Sequence, residues 1–370
     1  MKSYKHIPFV VFIGLISIFI YSCEEDEPVV IDEGDLTNIP YSPTTYNLNL
    51  PSYFPKMPIP NDNPLTVEGI DLGRNIFFDN KLSGNNTMSC ASCHDPKLAF
   101  TDAAAASIGI DGIVGKRSSM SLVNIGFTKN GLFWDGRAKS LEEQALLPVA
   151  DPIELHANWP DVENKFRQDS IYPAKFRMAF GIKNKTEITK ELIAKALAQY
   201  QRAIISSNSK YDRIKQGLEN FSDLELVGFS LFTDSEGDDL PDAECHHCHQ
   251  LDLATADDFF NNGLQESSDL YSFKDLGKGG ITKQVAENGK MRAPTLRNVL
   301  LTAPYMHDGS LATFDDVLNH YNGNSKNSPN KDPLIRNIKL SSFHKKALIA
   351  FIETLTDTSY LNNPLLQKPK

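Results

Sequence analysis

The sequence predicts a mainly α-helical chain of two related domains. Segments with a helical hydrophobic period and with helix-capping residues recur along it, whereas strand signals are few and short. The pattern C-x-x-C-H occurs twice, at Cys90–His94 and at Cys245–His249, and each copy follows a predicted helix. This repetition places a domain boundary near residues 209–217.

Each of these pentapeptides has the spacing by which a c-type haem is attached. Two thiols add to the two vinyl groups of one porphyrin, and the adjacent histidine, His94 or His249, then becomes an iron ligand. Paired C-x-x-C units of a zinc ribbon lie about 15–20 residues apart, much closer than here, and a thioredoxin-like motif would need a βαβ setting. The sequence therefore predicts two covalent haems, attached at Cys90, Cys93, Cys245 and Cys248.

The length, composition and charge of the chain indicate a globular protein of about two domains that does not bind nucleic acid. A chain of 370 residues has the length of roughly two domains. Its 41% hydrophobic and 23% charged residues are typical of a globular protein with buried cores. The formal net charge of -10 argues against nucleic acid as a partner.

The N-terminus has the pattern of a bacterial export signal. Lys2 and Lys5 precede an apolar run over 9–20 that is too short for a comfortable membrane span. We expect residues 1–22 to be a signal peptide of the lipoprotein type, cleaved before a lipidated Cys23; an ordinary signal peptide is the alternative. The expected location faces the periplasm, on the outer membrane or another membrane, with the lipid as the only anchor.

The elements of the first domain follow from local patterns. Residues 23–60 are acidic and then rich in Pro, Asn, Tyr and Thr, which predicts a tether and an extended arm. In the first haem domain, 61–210, a helix is predicted over 67–78, just before the first haem motif. Ser140, with a glutamate three residues later, begins another helix by a capping box. Apolar residues on one face predict a long helix within 188–206.

The second haem domain, 211–370, has fewer local signals. Ser222 and Glu225 form a second capping-box pattern, and the helix that they begin leads towards the second haem motif. A last helix is predicted over about 341–355. Residues 99–130, between the first haem motif and the next helix, are predicted to be loop.

Several further motifs surround the haem motifs. They are Leu-Gly-Arg at 72–74, Phe-Phe-Asp at 77–79, Phe-Trp-Asp-Gly-Arg at 133–137, Leu-Glu-Glu-Gln-Ala at 141–145, Arg-Ala-Pro-Thr-Leu-Arg-Asn at 292–298 and Ala-Pro-Tyr-Met-His-Asp-Gly-Ser at 303–310. With them the chain resembles the bacterial dihaem cytochrome c peroxidase family, which includes the MauG-type enzymes, over about residues 63–356. The resemblance implies two cytochrome c-like haem domains packed side by side, with the active surface between them.

The resemblance also implies roles for individual side chains. The first haem would be peroxidatic, and the second would pass electrons to it. Trp134 matches a tryptophan between the haems that relays electrons. Glu154 matches the distal carboxylate that moves a proton between the two peroxide oxygens, and Gln144 would hydrogen-bond the bound peroxide or water. Without the resemblance, a core aromatic and an exposed loop acid would be the expected readings of Trp134 and Glu154.

Two departures from the family pattern affect the iron ligands. No histidine lies between His94 and His156, so the first haem is expected to be open at rest, as in MauG-type members. The segment in which electron-transfer peroxidases carry a methionine ligand has none, and its register places Tyr321 at that position. His320 and Met306 are the alternatives, as is an uncoordinated face. A phenolate is an anionic donor and lowers the haem potential.

The family also carries a structural calcium ion between its domains. The matching main-chain donors are Thr302 and Pro304, and oxygen donors suit calcium. The family's asparagine ligand corresponds to Ser118 here, which weakens the match.

The function implied is reduction of hydrogen peroxide to water by a cytochrome-c peroxidase. A small cytochrome c or copper protein would supply electrons through the second haem. One alternative is a MauG-like oxidase that acts on a protein or organic substrate through high-valent iron, which Tyr321 favours. The other is a dihaem electron carrier without catalysis, against which the open first haem with Glu154 above it argues.

Overall fold

The structure, a computed structural model, describes residues 1–2, 34–233, 240–243 and 245–369. Nearly all of the predicted signal peptide, together with Cys23, lies outside these residues. The helices α1 to α11 are Val67–Phe77, Leu141–Ala150, Trp159–Gln168, Tyr172–Phe180, Lys190–Arg202, Lys210–Lys215, Asp223–Thr233, Cys245–Cys248, Gly277–Thr282, Phe314–Asn319 and Ser342–Glu353. Strands β1, Phe259–Phe260, and β2, Met291–Arg292, form one antiparallel pair. The mainly helical fold is confirmed.

The helix that precedes each haem motif packs across a later helix at a glycine. Helix α1 packs across α5, and a Cβ atom on Gly73 would overlap the carbonyl of Ala196. Helix α7 packs across α11, where a Cβ atom on Gly228 would overlap the carbonyl of Ala347. Each glycine precedes the first cysteine of its haem motif by the same 17 residues. The two helix pairs therefore share one packing arrangement at the same distance from the haem motif.

The apolar side chains form two main cores. The first core draws on residues between 36 and 204, and the second on residues between 211 and 355. The first core also includes Tyr360 and Leu366 from the end of the chain. The Tyr360 hydroxyl donates to the carbonyl of Pro96 at 2.9 Å, and the Tyr200 hydroxyl donates to that of Leu366 at 2.9 Å. The last turns of the chain thus pack against the first domain. The prediction had assigned them to the second domain, 211–370.

The described part of the arm packs against both domains. Tyr46 donates its amide to the carbonyl of Leu65 at 3.0 Å, next to α1. Further along, the Tyr53 hydroxyl donates to Asp212 of α6 at 2.8 Å. Phe54 is buried and forms a small apolar cluster with Met57 and Phe127. The arm therefore connects the two domains through side-chain contacts.

Most of the predicted helices are present with small changes at their ends. Helices α1, α5 and α11 lie within the predicted segments. Ser140 accepts a hydrogen bond from the amide of Glu143 at 3.1 Å, as expected of the residue that caps α2. Helices α3 and α4 were not predicted; each carries a proline in its first turn, which is a favourable position for it. Within the described ranges, no helix has the length and apolar content needed to cross a membrane.

Candidate haem sites and the pocket between the domains

The first haem motif has the geometry needed to bind a haem. Cys90 and Cys93 are free thiols on a short 3₁₀ turn, both partly buried. The Nδ1 atom of His94 lies 2.8 Å from the carbonyl of Phe100, which fixes Nδ1 as the protonated nitrogen and leaves the Nε2 lone pair available to iron. Burial lowers the pKa of His94, which favours the neutral ring. These residues fit a c-type haem.

The second haem motif repeats this arrangement. Cys245 and Cys248 lie at the two ends of α8, and both are partly buried. The Nδ1 atom of His249 lies 3.1 Å from the carbonyl of Pro294, so Nε2 is again available. Burial lowers the pKa of His249 to about 4. The proximal hydrogen-bond acceptor belongs to the segment 292–298, which explains in structural terms why that motif accompanies the haem motif.

Ser119 is a contact of the first haem site that sequence reasoning missed. Its hydroxyl donates to the carbonyl of Cys93 at 2.7 Å and lies 3.2 Å from Nδ1 of His94. At the second site, the corresponding nitrogen of His249 lies against the carbonyl of Pro294. No local pattern marked Ser119, because its partners lie about 25 residues earlier in the chain.

Glu154 lies between the loop that leads into the first haem motif and a hairpin over residues 107–115. The amide of Ile110, in the hairpin, donates to the Glu154 carbonyl at 3.0 Å. The amide of Gly84, before the haem motif, donates to the Leu155 carbonyl at 2.8 Å. In the hairpin itself, Ile108 pairs with Val114. The segment that carries Glu154 is therefore held on both sides.

The Glu154 carboxyl is electrostatically close to the haem-binding cysteines. Burial raises the pKa of the Cys90 thiol to about 12, and Cys93 and Glu154 add to this effect. Burial, with a contribution from Asp151, also raises the pKa of Glu154 above its usual value, although Arg137 opposes the shift. The Glu154 carboxyl is thus partly buried and acts electrostatically on a cysteine of the first haem motif.

Gln144 is partly buried on α2, one residue before the buried Ala145. Its amide nitrogen in the main chain donates to the Ser140 carbonyl at 2.9 Å. The Arg137 guanidinium, in the loop before α2, stacks 3.5 Å above the Phe133 ring and pairs with Asp135 at 3.1 Å. Arg137 was not predicted as a site residue, but its charge acts on Glu154.

Trp134 connects the two domains. Its indole Nε1 donates to the carbonyl of Ser118 at 2.9 Å, and its own carbonyl accepts from the amide of Arg292 in β2 at 2.9 Å. Ser118 in turn donates its hydroxyl to the carbonyl of Met306 at 2.9 Å, and its amide donates to the carbonyl of His307 at 2.8 Å. The tryptophan therefore lies in the contact between the domains, where an electron relay would be needed.

The three alternatives for the distal ligand of the second haem are close together. Helix α10 ends in a wider π-type turn, His320–Asn324, which contains Tyr321. Burial raises the pKa of the Tyr321 phenol to about 12, with a small contribution from Cys248, so the phenol is near the second haem motif. The Nε2 atom of His320 lies 2.9 Å from the Asn262 carbonyl. That nitrogen is therefore engaged, and Nδ1 is the ring nitrogen of His320 that could bind iron.

A cavity of about 130 Å³ lies between the domains. Trp134, Ser118, Thr302 and Pro304 are among the residues that line it. Hydroxyl groups are frequent in this lining, but its one carboxylate, Asp257, pairs with Arg292. In the part of the chain that the structure describes, no three His, Cys, Asp or Glu side chains are grouped as metal ligands.

Comparisons with known proteins agree on one family. The family model described as di-haem cytochrome c peroxidase matches residues 67–220. Cytochrome-c peroxidase IdrP1 of Denitromonas iodatirespirans is 33% identical, over 83% of this chain and 86% of its own length. The methylamine utilization protein MauG of Methylorubrum extorquens is 32% identical over 81% of each chain. The solved structure of a MauG-like protein associated with microbial copper homeostasis is 36% identical, with a TM-score of 0.78, over 88% of this chain and 99% of that one.

Proposed function

The chain belongs to the di-haem cytochrome c peroxidase and MauG family of oxidoreductases, and from this premise we propose that it is a dihaem peroxidase that reduces hydrogen peroxide to water. The family carries two c-type haems, and the motifs at Cys90–His94 and Cys245–His249 are the proposed attachment sites. The observation that carries the proposal is the position of Glu154, held between the 107–115 hairpin and the loop that leads into the first haem motif.

Glu154 would move the proton that peroxide cleavage requires. The haem, when bound, supplies the site for peroxide and the electrons that break the O–O bond. The balanced reaction takes one H₂O₂, two electrons and two protons to two molecules of water. The Glu154 carboxylate would accept a proton from the near oxygen and deliver it to the far oxygen, which leaves as water. Gln144, on α2, would orient the peroxide through its side-chain amide.

Electrons would come from a small cytochrome c or copper protein and enter through the second haem. Trp134 supports this route, because its main chain bonds to β2 of the second domain and its indole to Ser118 of the first. Rigid, packed contacts of this kind keep the distance between the two redox sites constant.

Two further parts of the proposal concern the setting of the enzyme. Lipidation of Cys23 would hold the protein on a membrane that faces the periplasm. A calcium ion would lie in the cavity between the domains, bound through the main-chain oxygens of Thr302 and Pro304, both of which line that cavity.

A MauG-like oxidase of a protein or organic substrate is the second candidate function. The proximity of Tyr321 to Cys245 and Cys248 favours it, because a phenol oxygen as ligand would lower the potential of the second haem. Both names occur among relatives of similar identity.

A steady-state assay distinguishes the two functions. The haem-loaded protein is supplied with hydrogen peroxide and a reduced small cytochrome c or a reduced copper protein. A peroxidase oxidises two equivalents of donor for each peroxide consumed. Absence of donor oxidation with either class of donor, in protein that carries both haems, would refute the peroxidase proposal and favour the oxidase.

A further inference from the structure

One side chain, Asn262, contacts two of the ligand alternatives of the second haem, Met306 and Tyr321. It follows β1 in the chain and is partly buried. Its side-chain Nδ2 atom lies 3.3 Å from the sulfur of Met306 and 3.5 Å from the hydroxyl oxygen of Tyr321. An asparagine amide has two N–H donors, so it can serve both acceptors at once.

The orientation of this amide is fixed by its neighbours. The side-chain oxygen of Asn262 accepts a hydrogen bond from the amide of Leu264 at 3.2 Å. The nitrogen must therefore be the end that faces Met306 and Tyr321, which settles the usual ambiguity between the two ends of an amide. The main-chain carbonyl of Asn262 lies 2.9 Å from Nε2 of His320, which holds the backbone in place.

The backbone of Met306 is held by a contact with the first domain. Its carbonyl accepts the hydroxyl hydrogen bond of Ser118, at 2.9 Å, from the first domain. Its backbone has a φ of +76°, a left-handed conformation that few methionines adopt. The backbone of Met306 is thus fixed by the first domain, while its sulfur is engaged by Asn262.

We propose that Asn262 is a positioning residue that selects Tyr321 over Met306 as the distal ligand of the second haem. One N–H of its amide engages the Met306 sulfur and keeps the thioether from turning to the iron. The other N–H holds the Tyr321 oxygen in the ligand position. The inference rests on the proposed assignment of Tyr321 as ligand, and it is independent of whether the enzyme reduces peroxide or oxidises an organic substrate.

The test replaces the amide and measures the second haem directly. Asn262→Leu keeps the approximate size of the side chain and removes both donors, and Asn262→Ala removes them without adding bulk. Each variant is checked for two covalent haems, and then its EPR and resonance Raman spectra and the potential of the second haem are recorded. Tyr321→Phe provides the reference spectrum without a phenol ligand.

We expect Asn262→Leu to lose the phenolate signature and to show a higher potential, because methionine ligation raises the haem potential. Adding Met306→Leu to that variant should abolish the rise, since no thioether is then available. Met306→Leu alone should leave the second-haem spectrum as in the wild type.

Three results would overturn the proposal. They are a wild-type spectrum in both Asn262 variants, a raised potential that persists in Asn262→Leu/Met306→Leu, and identical spectra for the wild type and Tyr321→Phe. The third would remove Tyr321 as ligand altogether. None of them depends on peroxide turnover, so failure of the peroxidase proposal appears separately in the donor-oxidation assay.

Discussion

Replacing Glu154 by glutamine should remove the proton acceptor of the peroxidase reaction while leaving the first haem in place. The two side chains are nearly equal in size. The main chain of Glu154 accepts a hydrogen bond from the amide of Ile110 and donates one to the carbonyl of Asp151, and the substitution touches neither bond. The expected loss is therefore chemical. General acid–base catalysis contributes about 10²–10⁴ in rate, which corresponds to about 2.7–5.4 kcal/mol of transition-state free energy.

The pH dependence gives a second signature of the same group. Glu154 must be ionised to accept a proton, so kcat/KM for peroxide should rise as the pH rises through the pKa of this group. Burial and Asp151 raise that pKa. The acidic limb of the profile should therefore lie above the range of an ordinary glutamate, and it should disappear in Glu154→Gln.

The assay is peroxide-dependent oxidation of a reduced donor, with haem content and optical spectra recorded for each variant. Glu191→Gln is a matched control, because Glu191 is an exposed carboxylate on α5 with 59% of its side chain accessible. Full turnover by Glu154→Gln, or an unchanged acidic limb, would remove Glu154 from the mechanism. Loss of haem from the variant would instead show a structural role.

Three further predictions concern cofactor content, anchoring and stability. A pyridine haemochrome assay should give two haems per mature chain and one after Cys245→Ala; a single haem in the wild type would contradict the attachment sites. Cys23→Ser should release the protein into the soluble fraction or leave the precursor uncleaved, so unchanged membrane retention would rule out a lipid anchor. Gly228→Ala should lower the free energy of unfolding by about 1–3 kcal/mol, because the added methyl overlaps the carbonyl of Ala347; an unchanged denaturation midpoint would show that the helices can separate without cost.

The haem-attachment motifs could be predicted from the sequence, because the residues of each motif are close together in the chain. Cys90, Cys93 and His94 must be neighbours to attach one haem, so the local pattern is nearly sufficient. Helix-capping patterns are local in the same sense, and Ser140 caps α2 as expected. Glu154 and Trp134 lack such patterns and were found only through the resemblance.

The remaining contacts could not be predicted because they join distant parts of the chain. Ser118 bonds to residues about 190 positions later, and Asn262 reaches Tyr321 59 positions later. Neither residue type is unusual at an exposed turn, so neither sequence position gave a signal. The return of Tyr360 and Leu366 to the first core is of the same kind, since it depends on a surface that exists only after the first domain has formed.

Ser118 makes hydrogen bonds both to Trp134 and to the turn that carries Met306. Through its carbonyl Ser118 accepts the indole hydrogen bond of Trp134, and through its hydroxyl and amide it donates to the turn at Met306 and His307. The same turn brings the Met306 sulfur to Asn262, beside Tyr321. Any movement of the relay tryptophan against the second domain would therefore break bonds that also position the second haem's ligand alternatives. The proposed relay and the proposed ligand selection would thus be mechanically coupled, because both would depend on the contact between the two domains.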